Sequence, residues 1–254
     1  MKLTILGSGT STGLPLPGCD CEVCTSTDPK NSRLRTSAAL TLPGGEVVVI
    51  DTTPDFRQQV LRANIRRLDA VLYTHPHADH ILGLDDLRAY NYVQRRSVPC
   101  WGTEETLRQI KHIFNYVFGE PGESSRPLID LHQLRHFETL PLFGAEIVPF
   151  PLLHGRTEVT GFKIGDLAYA TDCNDVPDRS AELLMGIKTI VLDGIRHDKH
   201  PTHFTIDEAI EFSGRIKAQR TILIHFTHSV DHAKVSATLP SGVELAYDGL
   251  VIEF

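Results

Sequence analysis

A dense cluster of metal-binding residue types follows one apolar run, and it constrains the fold of this chain more than any other feature. The run 70–74 (AVLYT) has the length and composition of a buried strand. Four possible ligands follow it within six residues: His75, His77, Asp79 and His80. Imidazole and carboxylate together suit zinc, iron or manganese. The two histidines at i and i+2 of an extended segment point to one side, and the next two ligands turn elsewhere. This spacing favours a site for two metal ions over a site for one, and over a solvated polar loop.

Apolar runs rich in β-branched residues recur along the chain and predict buried strands. They lie at 3–6, 47–50, 70–74, 146–150, 167–171, 189–193, 221–225 and 250–254. Helical patterns lie between several of them, at 54–63, 104–118 and 205–217, and the last begins with a capping box of Thr205 and Glu208. Strands and helices that alternate to the C-terminus predict a layered α/β architecture. We interpret residues 1–254 as one domain with an exposed loop at 119–127.

Composition and charge narrow the range of partners. The hydrophobic content of 41% and the charged content of 22% are ordinary for a globular protein, and the net charge is −7. A negative chain has no general attraction to phosphate backbones, so a long nucleic acid is not a favoured partner. No apolar window approaches the roughly 18 to 20 residues that a membrane helix needs. The first strand begins close to Met1 without a signal-peptide pattern, so we expect an unexported, cytoplasmic protein.

The motif H-x-H-x-D-H after an apolar strand resembles the signature of the metallo-β-lactamase fold superfamily. The resemblance implies an αβ/βα sandwich, in which two sheets lie between outer helices, with further ligands at the ends of later strands. His154 follows EIVPFPLL, Asp172 follows LAYAT, and His225 ends TILIH, as that pattern requires. By this resemblance His75, His77 and His154 hold one divalent metal ion, Asp79, His80 and His225 hold the other, and Asp172 bridges them.

Such a site would be a dinuclear hydrolase centre. Two divalent ions lower the pKa of a shared water and stabilise both oxygens of a displacement reaction, so phosphoesters, thioesters and lactams are the natural substrates. Asp79 is expected to orient the attacking hydroxide as well as to bind metal. The ligand types accept zinc, manganese and iron, and we expect zinc or manganese. Cys173, beside Asp172, is an alternative thiolate ligand, but we interpret it, like Cys100, as an inert buried thiol.

Three of the five cysteines, Cys19, Cys21 and Cys24, lie within six residues in a loop at 18–26. An odd number of cysteines with this clustering indicates a metal site in a reducing compartment rather than a disulfide framework. Zinc in a structural site takes four ligands, so one ligand must come from elsewhere. The loop resembles that of one branch of the superfamily, the PhnP-type phosphodiesterases of the carbon–phosphorus lyase pathway. In that branch a histidine three residues after the last active-site histidine completes a structural zinc site, and His228 occupies that position here.

The same resemblance suggests a general acid and a substrate. His203 immediately precedes the predicted helix 205–217, as the catalytic histidine of the branch does, whereas His197 and His200 are weaker candidates. A histidine that titrates near neutrality suits protonation of a departing alkoxide. The branch hydrolyses 5-phosphoribosyl 1,2-cyclic phosphate to ribose 1,5-bisphosphate. The sequence therefore predicts a phosphodiesterase of small, cyclic phosphodiesters.

Several alternatives stay open at this stage. A tRNA 3′-processing endonuclease would need a basic arm, which is not evident in this acidic chain, and a thioester hydrolase would not need the cysteine loop. Outside hydrolysis, members of the superfamily include di-iron oxidoreductases and metal-free scaffolds, although the complete ligand set disfavours a scaffold. The Gly-rich segment 7–13 could cradle a phosphate or form a tight turn. Residues 104–145, a variable insertion in the superfamily, carry no motif that selects a substrate, and a homodimer is left open.

Overall fold

Two mixed β-sheets form the centre of the molecule. The computed structural model describes residues 1–119 and 125–254, so residues 120–124 of the predicted loop 119–127 lie outside the described part. Each sheet has seven strands, with the spatial orders β14-β1-β2-β3-β4-β5-β6 and β13-β12-β11-β10-β9-β8-β7. The strands of the first sheet are β1 (Lys2–Gly7), β2 (Ser37–Thr41), β3 (Val47–Ile50), β4 (Ala70–Leu72), β5 (Val98–Gly102), β6 (Ile129–Gln133) and β14 (Val251–Glu253). Those of the second are β7 (Leu140–Leu142), β8 (Ala145–His154), β9 (Thr157–Ile164), β10 (Leu167–Ala170), β11 (Thr189–Asp193), β12 (Arg220–Ile224) and β13 (Val243–Leu245).

Eight α-helices connect or flank these strands. They are α1 (Phe56–Arg62), α2 (Ala78–Ile81), α3 (Arg88–Gln94), α4 (Glu104–Ile113), α5 (Asn115–Phe118), α6 (Asp178–Leu183), α7 (Ile206–Arg215) and α8 (His232–Ser236) among the described residues. The strands β3 to β6 are parallel, as are β10 to β13. Each of these parallel connections contains at least one helix, because a parallel crossover must return along the face of its sheet.

The order of layers follows from which side chains each strand buries. Along β3, Val48 and Ile50 belong to the core between the sheets, whereas Val49 packs on the opposite face against helix residues such as Phe56 and Tyr90. Both faces of the central strands are therefore buried, which explains why these strands are continuous apolar runs. The helices therefore lie outside and the two sheets inside, which is the arrangement of the metallo-β-lactamase fold. The predicted α/β sandwich is confirmed.

The predicted elements agree with the structure wherever the sequence has a continuous apolar run. All eight apolar runs contain strands, and helix 205–217 is α7, whose capping box forms through reciprocal bonds between Thr205 and Glu208. The predicted helix 104–118 is divided at Phe114 into α4 and α5. The segment 104–145 also supplies β6 and β7, which are edge strands of the two sheets. Across residues 1–119 and 125–254, no helix is both long enough and apolar enough to span a membrane.

Candidate active site

The strand ends bring all seven predicted active-site ligands into one pocket. Ligand atoms of His75, His77 and His154 lie within 4.8 Å of one another. The same limit holds for the set Asp79, Asp172 and His225, and for the set His75, His80 and Asp172. Asp172 takes part in both of the last two sets, which is the position that a bridging carboxylate requires.

The depth of the ligands differs across the pocket. His75, His80, Asp172 and His225 are buried, whereas His154 is half-buried and His77 is exposed. The pocket therefore opens to solvent on the side of His77 and His154. A substrate would approach from that side.

Two ligands and one supporting residue have a left-handed backbone, which is rare outside glycine. The φ angles are 64° at Asp51, 57° at Asp172 and 73° at His225. Each of these residues lies within two positions of the end of a parallel strand, β3, β10 or β12. A left-handed turn at this point costs free energy, and such strain is concentrated at functional sites. Here it turns each side chain from the strand direction into the pocket.

Asp51, which the sequence analysis did not select, holds two of the histidines in place. Its carboxylate lies 2.8 Å from Nδ1 of His80, and it accepts hydrogen bonds from the amide (2.8 Å) and the hydroxyl (2.7 Å) of Thr74. Since the Thr74 hydroxyl donates to Asp51, its lone pair faces Nδ1 of His75 at 2.9 Å. The signal in the sequence is an aspartate directly after the apolar run VVVI. Asp172 likewise follows the apolar run LAYAT, and Asp193 ends the run TIVLD.

The donor set fits divalent metal ions. Metal-binding histidines commonly donate their second ring N–H to an oxygen, which fixes the ring and its tautomer. His75 and His80 have such partners in Thr74 and Asp51, and Nδ1 of His154 lies 2.8 Å from the Thr202 carbonyl. Burial lowers the pKa of His225 to about 4, which leaves its imidazole in the neutral form that binds metal. The remaining nitrogen and carboxylate atoms converge on shared space, as ligands of two ions must.

His203 lies beside this ligand set and forms a pair with Asp193. The His203 ring centroid is 4.6 Å from that of His154 and 4.9 Å from that of His225. Its Nδ1 lies 2.6 Å from the Asp193 carboxylate, which also accepts the amide of Cys173 at 2.9 Å. Burial lowers the pKa of His203, but the charge and hydrogen bond of Asp193 outweigh burial, so the pKa lies above its usual value. Asp193 thus orients the ring, and Nε2 is directed away from the carboxylate.

The three loop cysteines and His228 meet although about two hundred residues separate them. Nδ1 of His228 lies 3.2, 3.5 and 3.8 Å from the sulfurs of Cys19, Cys21 and Cys24. For tetrahedral zinc, bond lengths of about 2.3 Å to sulfur and about 2.0 Å to nitrogen separate the two atoms by roughly 3.5 Å. The observed distances scatter around that value, so these four residues fit a structural zinc ion.

Cys173 and the Gly-rich segment 7–13, which the sequence offered as alternative binding groups, have structural roles. Cys173 is buried, burial raises its pKa well above the usual value, and its thiol faces the Ala170 carbonyl at 3.8 Å. In the Gly-rich segment 7–13, the amides of Gly9, Thr10 and Gly13 donate to carbonyl oxygens of the protein. These bonds favour the tight-turn interpretation over a phosphate cradle.

This chain is similar to one protein family and to several solved structures. A family model described as the beta-lactamase superfamily domain matches residues 46–226. A crystal structure described as a new diphosphatase from the PhnP family superposes with a TM-score of 0.92 and 44% identity, and it covers 100% of this chain and 97% of the other. The chain belongs to the beta-lactamase superfamily, within its PhnP family.

Other relatives of this PhnP-family chain have different names. An octanoyltransferase of Porphyromonas gingivalis is 38% identical over 252 residues, which are 98% of this chain but only 51% of that protein, so the chain spans about half of its length. Zinc-bound PqqB from Methylobacterium extorquens superposes with a TM-score of 0.77 at 21% identity, over the whole of both chains, and it shows the shared fold alone. Hydrolases that bind divalent metal ions are typical of this fold family, and the histidine and aspartate clusters described above are present in this chain.

Proposed function

We propose that this chain is a dinuclear metal-dependent hydrolase of small phosphodiesters. The observation that carries the proposal is the His203–Asp193 pair, placed beside a complete set of seven ligands. Metal ligands alone fit many hydrolytic reactions. An oriented histidine at the metal pocket is suited to reactions whose leaving group needs a proton, and an alkoxide leaving a phosphodiester is such a group.

Two divalent ions, when bound, would lower the pKa of water and stabilise negative charge on the phosphate oxygens. His75, His77, His154, Asp172, Asp79, His80 and His225 would hold them. The half-buried Asp79 carboxylate, 3.3 Å from Nε2 of His80, can accept a hydrogen bond from the attacking water and so orient it. As the new phosphorus–oxygen bond forms, the bond to the departing oxygen breaks, and Nε2–H of His203 donates its proton to that oxygen. Asp193 stabilises the protonated imidazole before transfer.

Two substrate classes follow from the resemblance and from the relatives. 5-Phosphoribosyl 1,2-cyclic phosphate is the first candidate, since the cysteine loop and His228 resemble the PhnP-type phosphodiesterases. Diphosphate diesters are the second, since the relative at 44% identity is described as a diphosphatase. In both classes the reaction expels one ester or anhydride oxygen from phosphorus. His203 would donate a proton to that oxygen.

The test is hydrolysis by protein loaded with zinc or manganese, with metal content measured on the same samples. The panel contains 5-phosphoribosyl 1,2-cyclic phosphate, a dinucleoside diphosphate, a precursor tRNA and a glutathione thioester. We expect a phosphomonoester product from one of the first two substrates, and loss of that activity in Asp172→Ala with the fold retained. Turnover of the thioester or the tRNA alone would refute the proposal, as would iron loading with oxygen consumption.

A second candidate is hydrolysis of an acyl ester or thioester. The observation that favours it is the name octanoyltransferase of the relative at 38% identity. Because this chain spans about half of that relative, the name applies to a longer protein. An octanoyl thioester added to the substrate panel tests this candidate directly: release of free thiol at a rate above that for the phosphodiesters would favour it.

A further inference from the structure

A basic, partly apolar groove lies between α1 and α3 on the outer helix layer. We name it the α1–α3 groove. Its volume is about 530 Å³, and its main apolar lining residues are Phe56, Val60, Leu61, Ile65, Tyr90 and Val93. Its charged lining residues are Arg57, Arg66, Arg88 and Asp86. It belongs to the helix layer that covers the first sheet, and none of its lining residues is among the ligands described above.

The charge of this surface is opposite to that of the chain. Residues 55–69 and 85–98 contain seven arginines and four aspartates, a net charge of +3. The whole chain has a net charge of −7, so the rest of it carries −10. A positive patch on an acidic protein is a specific feature of that surface rather than a consequence of composition.

Several of these arginines form ion pairs with carboxylates of the protein, but two arginines at the groove do not. Arg62 pairs with Asp248 at 2.9 Å, and Arg67 pairs with Asp69 at 2.7 Å. In contrast, Arg57 and Arg66 form no ion pair within 4.0 Å of a carboxylate in residues 1–119 and 125–254, and both are exposed. The half-buried Asp86 carboxylate interacts with Arg57 and offsets part of its charge, whereas Arg66 contacts only the neutral Asn64 amide oxygen among the described hydrogen bonds. Net positive charge is therefore left at the groove for an external group.

Apolar side chains lie between these charges. Phe56 and Val60 are buried at the base of the groove, and the Tyr90 hydroxyl donates to the Ile65 carbonyl at 2.9 Å, which fixes the spacing of the two walls. Leu61 is 63% exposed and Val93 is 75% exposed. Arginine and tyrosine around exposed aliphatic side chains are the composition of a protein interface.

We propose that the α1–α3 groove docks an acidic amphipathic helix of a partner protein. Aliphatic residues on one face of such a helix would cover Leu61 and Val93, and its carboxylates would pair with Arg57 and Arg66. A second copy of this chain fits less well, because a twofold contact would place like arginine patches against each other. A nucleic acid would make little use of exposed aliphatic side chains, since single strands bind through stacking on aromatic rings.

The experiment uses a fluorescein-labelled synthetic helix of about 18 residues, with leucine at positions i, i+3, i+4 and i+7 and glutamate elsewhere. Fluorescence anisotropy measures its binding to the intact protein. We expect the double variant Arg57→Glu/Arg66→Glu to weaken binding at least about tenfold, and Val93→Asp to weaken it as well. The matched control Lys2→Glu/Lys111→Glu changes the net charge equally at exposed positions elsewhere, and its affinity should stay within about twofold of wild type.

Three outcomes would overturn the proposal. The first is that wild type does not bind the peptide, or that the groove variants bind it as well as wild type does. The second is that phosphatidylglycerol vesicles or single-stranded DNA, and not the peptide, bind in a way that depends on Arg57 and Arg66. The third is self-association through the groove, seen by sedimentation and abolished by the same substitutions. Thermal unfolding of each variant separates a lost surface from a lost fold.

Discussion

At the scale of single residues, the site depends on groups that hold the ligands as much as on the ligands themselves. Asp51 shows this most directly, because one buried carboxylate contacts His80 and, through the Thr74 hydroxyl, controls the ring of His75. An aspartate in this position sets which ring nitrogen carries the proton. The orientation of these two rings is therefore set by hydrogen bonds from the protein itself.

We predict that Asp51→Asn weakens metal binding in the active site by about 10- to 100-fold. The amide can still bond to Thr74, but it lacks the charge that favours a proton on Nδ1 of His80. Competition with a chromophoric chelator measures the affinity, and Thr52→Ser, a buried neighbour that retains its hydroxyl, is the control. Wild-type affinity in Asp51→Asn would show that the carboxylate has no positioning role.

His203 can be tested by changing the leaving group. His203→Ala should slow esters with poor leaving groups far more than activated aryl esters, because a good leaving group needs no proton. His200→Ala is the matched control, since its ring is only 4.9 Å from that of His203. Metal analysis of both variants is needed because His203 also lies within 4.8 Å of ligand atoms of His154 and Asp172. Equal losses on both ester types, with a lost metal ion, would identify His203 as a ligand instead.

The sequence predicted most of the site but not its support. The seven active-site ligands and the four cysteine-site residues were named from a signature and its continuation at later strand ends, and the structure brings each set together. Asp51 was missed because its partners, Thr74 and His80, lie on another segment, and Thr74 was missed because its role depends on donating to Asp51. A single aspartate after a strand is indistinguishable from a turn residue until that segment is placed. The 2.6 Å contact between Asp193 and His203 depends on folding of the loop before α7, which the sequence pattern does not predict.

At the scale of elements, the strands that are continuous apolar runs were predictable, including the edge strand β14, and the strands without such a run were not. The run VVVI of β3 is apolar throughout, whereas the edge strands β6 (IDLHQ) and β7 (LPL) have exposed positions and no such run. Strand β2 (SAALT) is central and buried, but its small residues carry too little hydrophobicity to be recognised. Their pairing with neighbouring strands, rather than their composition, makes them strands.

Asp69 joins three elements, and its effect on stability should depend on pH. Its buried carboxylate accepts the Val47 amide at 2.8 Å and pairs with Arg67 and Arg96, which follow α1 and α3. Burial raises the pKa of Asp69, but these bonds outweigh burial and lower it below its usual value. A lowered pKa means that the stabilisation is complete above about pH 4 and is lost as the pH falls further.

We therefore predict that Asp69→Asn lowers the free energy of unfolding at pH 7 by about 1–3 kcal/mol. The difference from wild type should shrink below about pH 4, where the wild-type carboxylate becomes protonated. Urea unfolding at a series of pH values measures both effects. Asp166→Asn, at an exposed ion pair with Lys188, is the control and should change stability by less than about 1 kcal/mol. A constant difference across the pH series would contradict the ionic origin.

Arg33 links the segment before β2 to the segment after β12. The guanidinium is fully buried and donates to the carbonyls of Lys30 (2.9 Å), Thr227 (3.4 Å) and Val230 (2.7 Å). The last two carbonyls flank His228, the histidine of the cysteine site. The fixed fork of an arginine can satisfy acceptors in several directions at once, and a lysine cannot.

Arg33→Lys should consequently release zinc from the cysteine site about tenfold faster, with a loss of about 1–3 kcal/mol of stability from unsatisfied carbonyls. A zinc-binding dye monitors release independently of enzyme activity. Lys30→Gln, which removes a neighbouring cation, serves as the control. The Lys30 ammonium lies over the Tyr247 ring, and among the described hydrogen bonds its side chain makes none to the segment around His228. Unchanged release in Arg33→Lys, with zinc present in wild type, would remove Arg33 from this role.

At the scale of the whole molecule, the cysteine site joins segments that follow strands of both sheets. Cys19, Cys21 and Cys24 follow β1 of the first sheet, whereas His228 follows β12 of the second. His228 is only three positions after the candidate ligand His225, so a zinc ion here would fix the relative position of the sheets where the candidate active site lies between them. The zinc loop is then a determinant of stability for the whole chain as well as a local structure.

Metal removal from Cys21→Ser separates this contribution from that of the active site. At free zinc about 1,000-fold above its Kd, a bound ion adds about 4 kcal/mol of stability. In a chain of this length that corresponds to roughly 10 °C in Tm.

We expect Cys21→Ser to unfold at a correspondingly lower temperature with one zinc fewer, and chelation to lower its Tm by less than it lowers that of wild type. Cys100→Ser, a buried thiol in the outer core, is the control, because its loss of stability should leave the zinc content unchanged. If chelation lowered the Tm of wild type and Cys21→Ser equally, the cysteine loop would contribute no zinc-dependent stability, and the two sheets would be held by their packing alone.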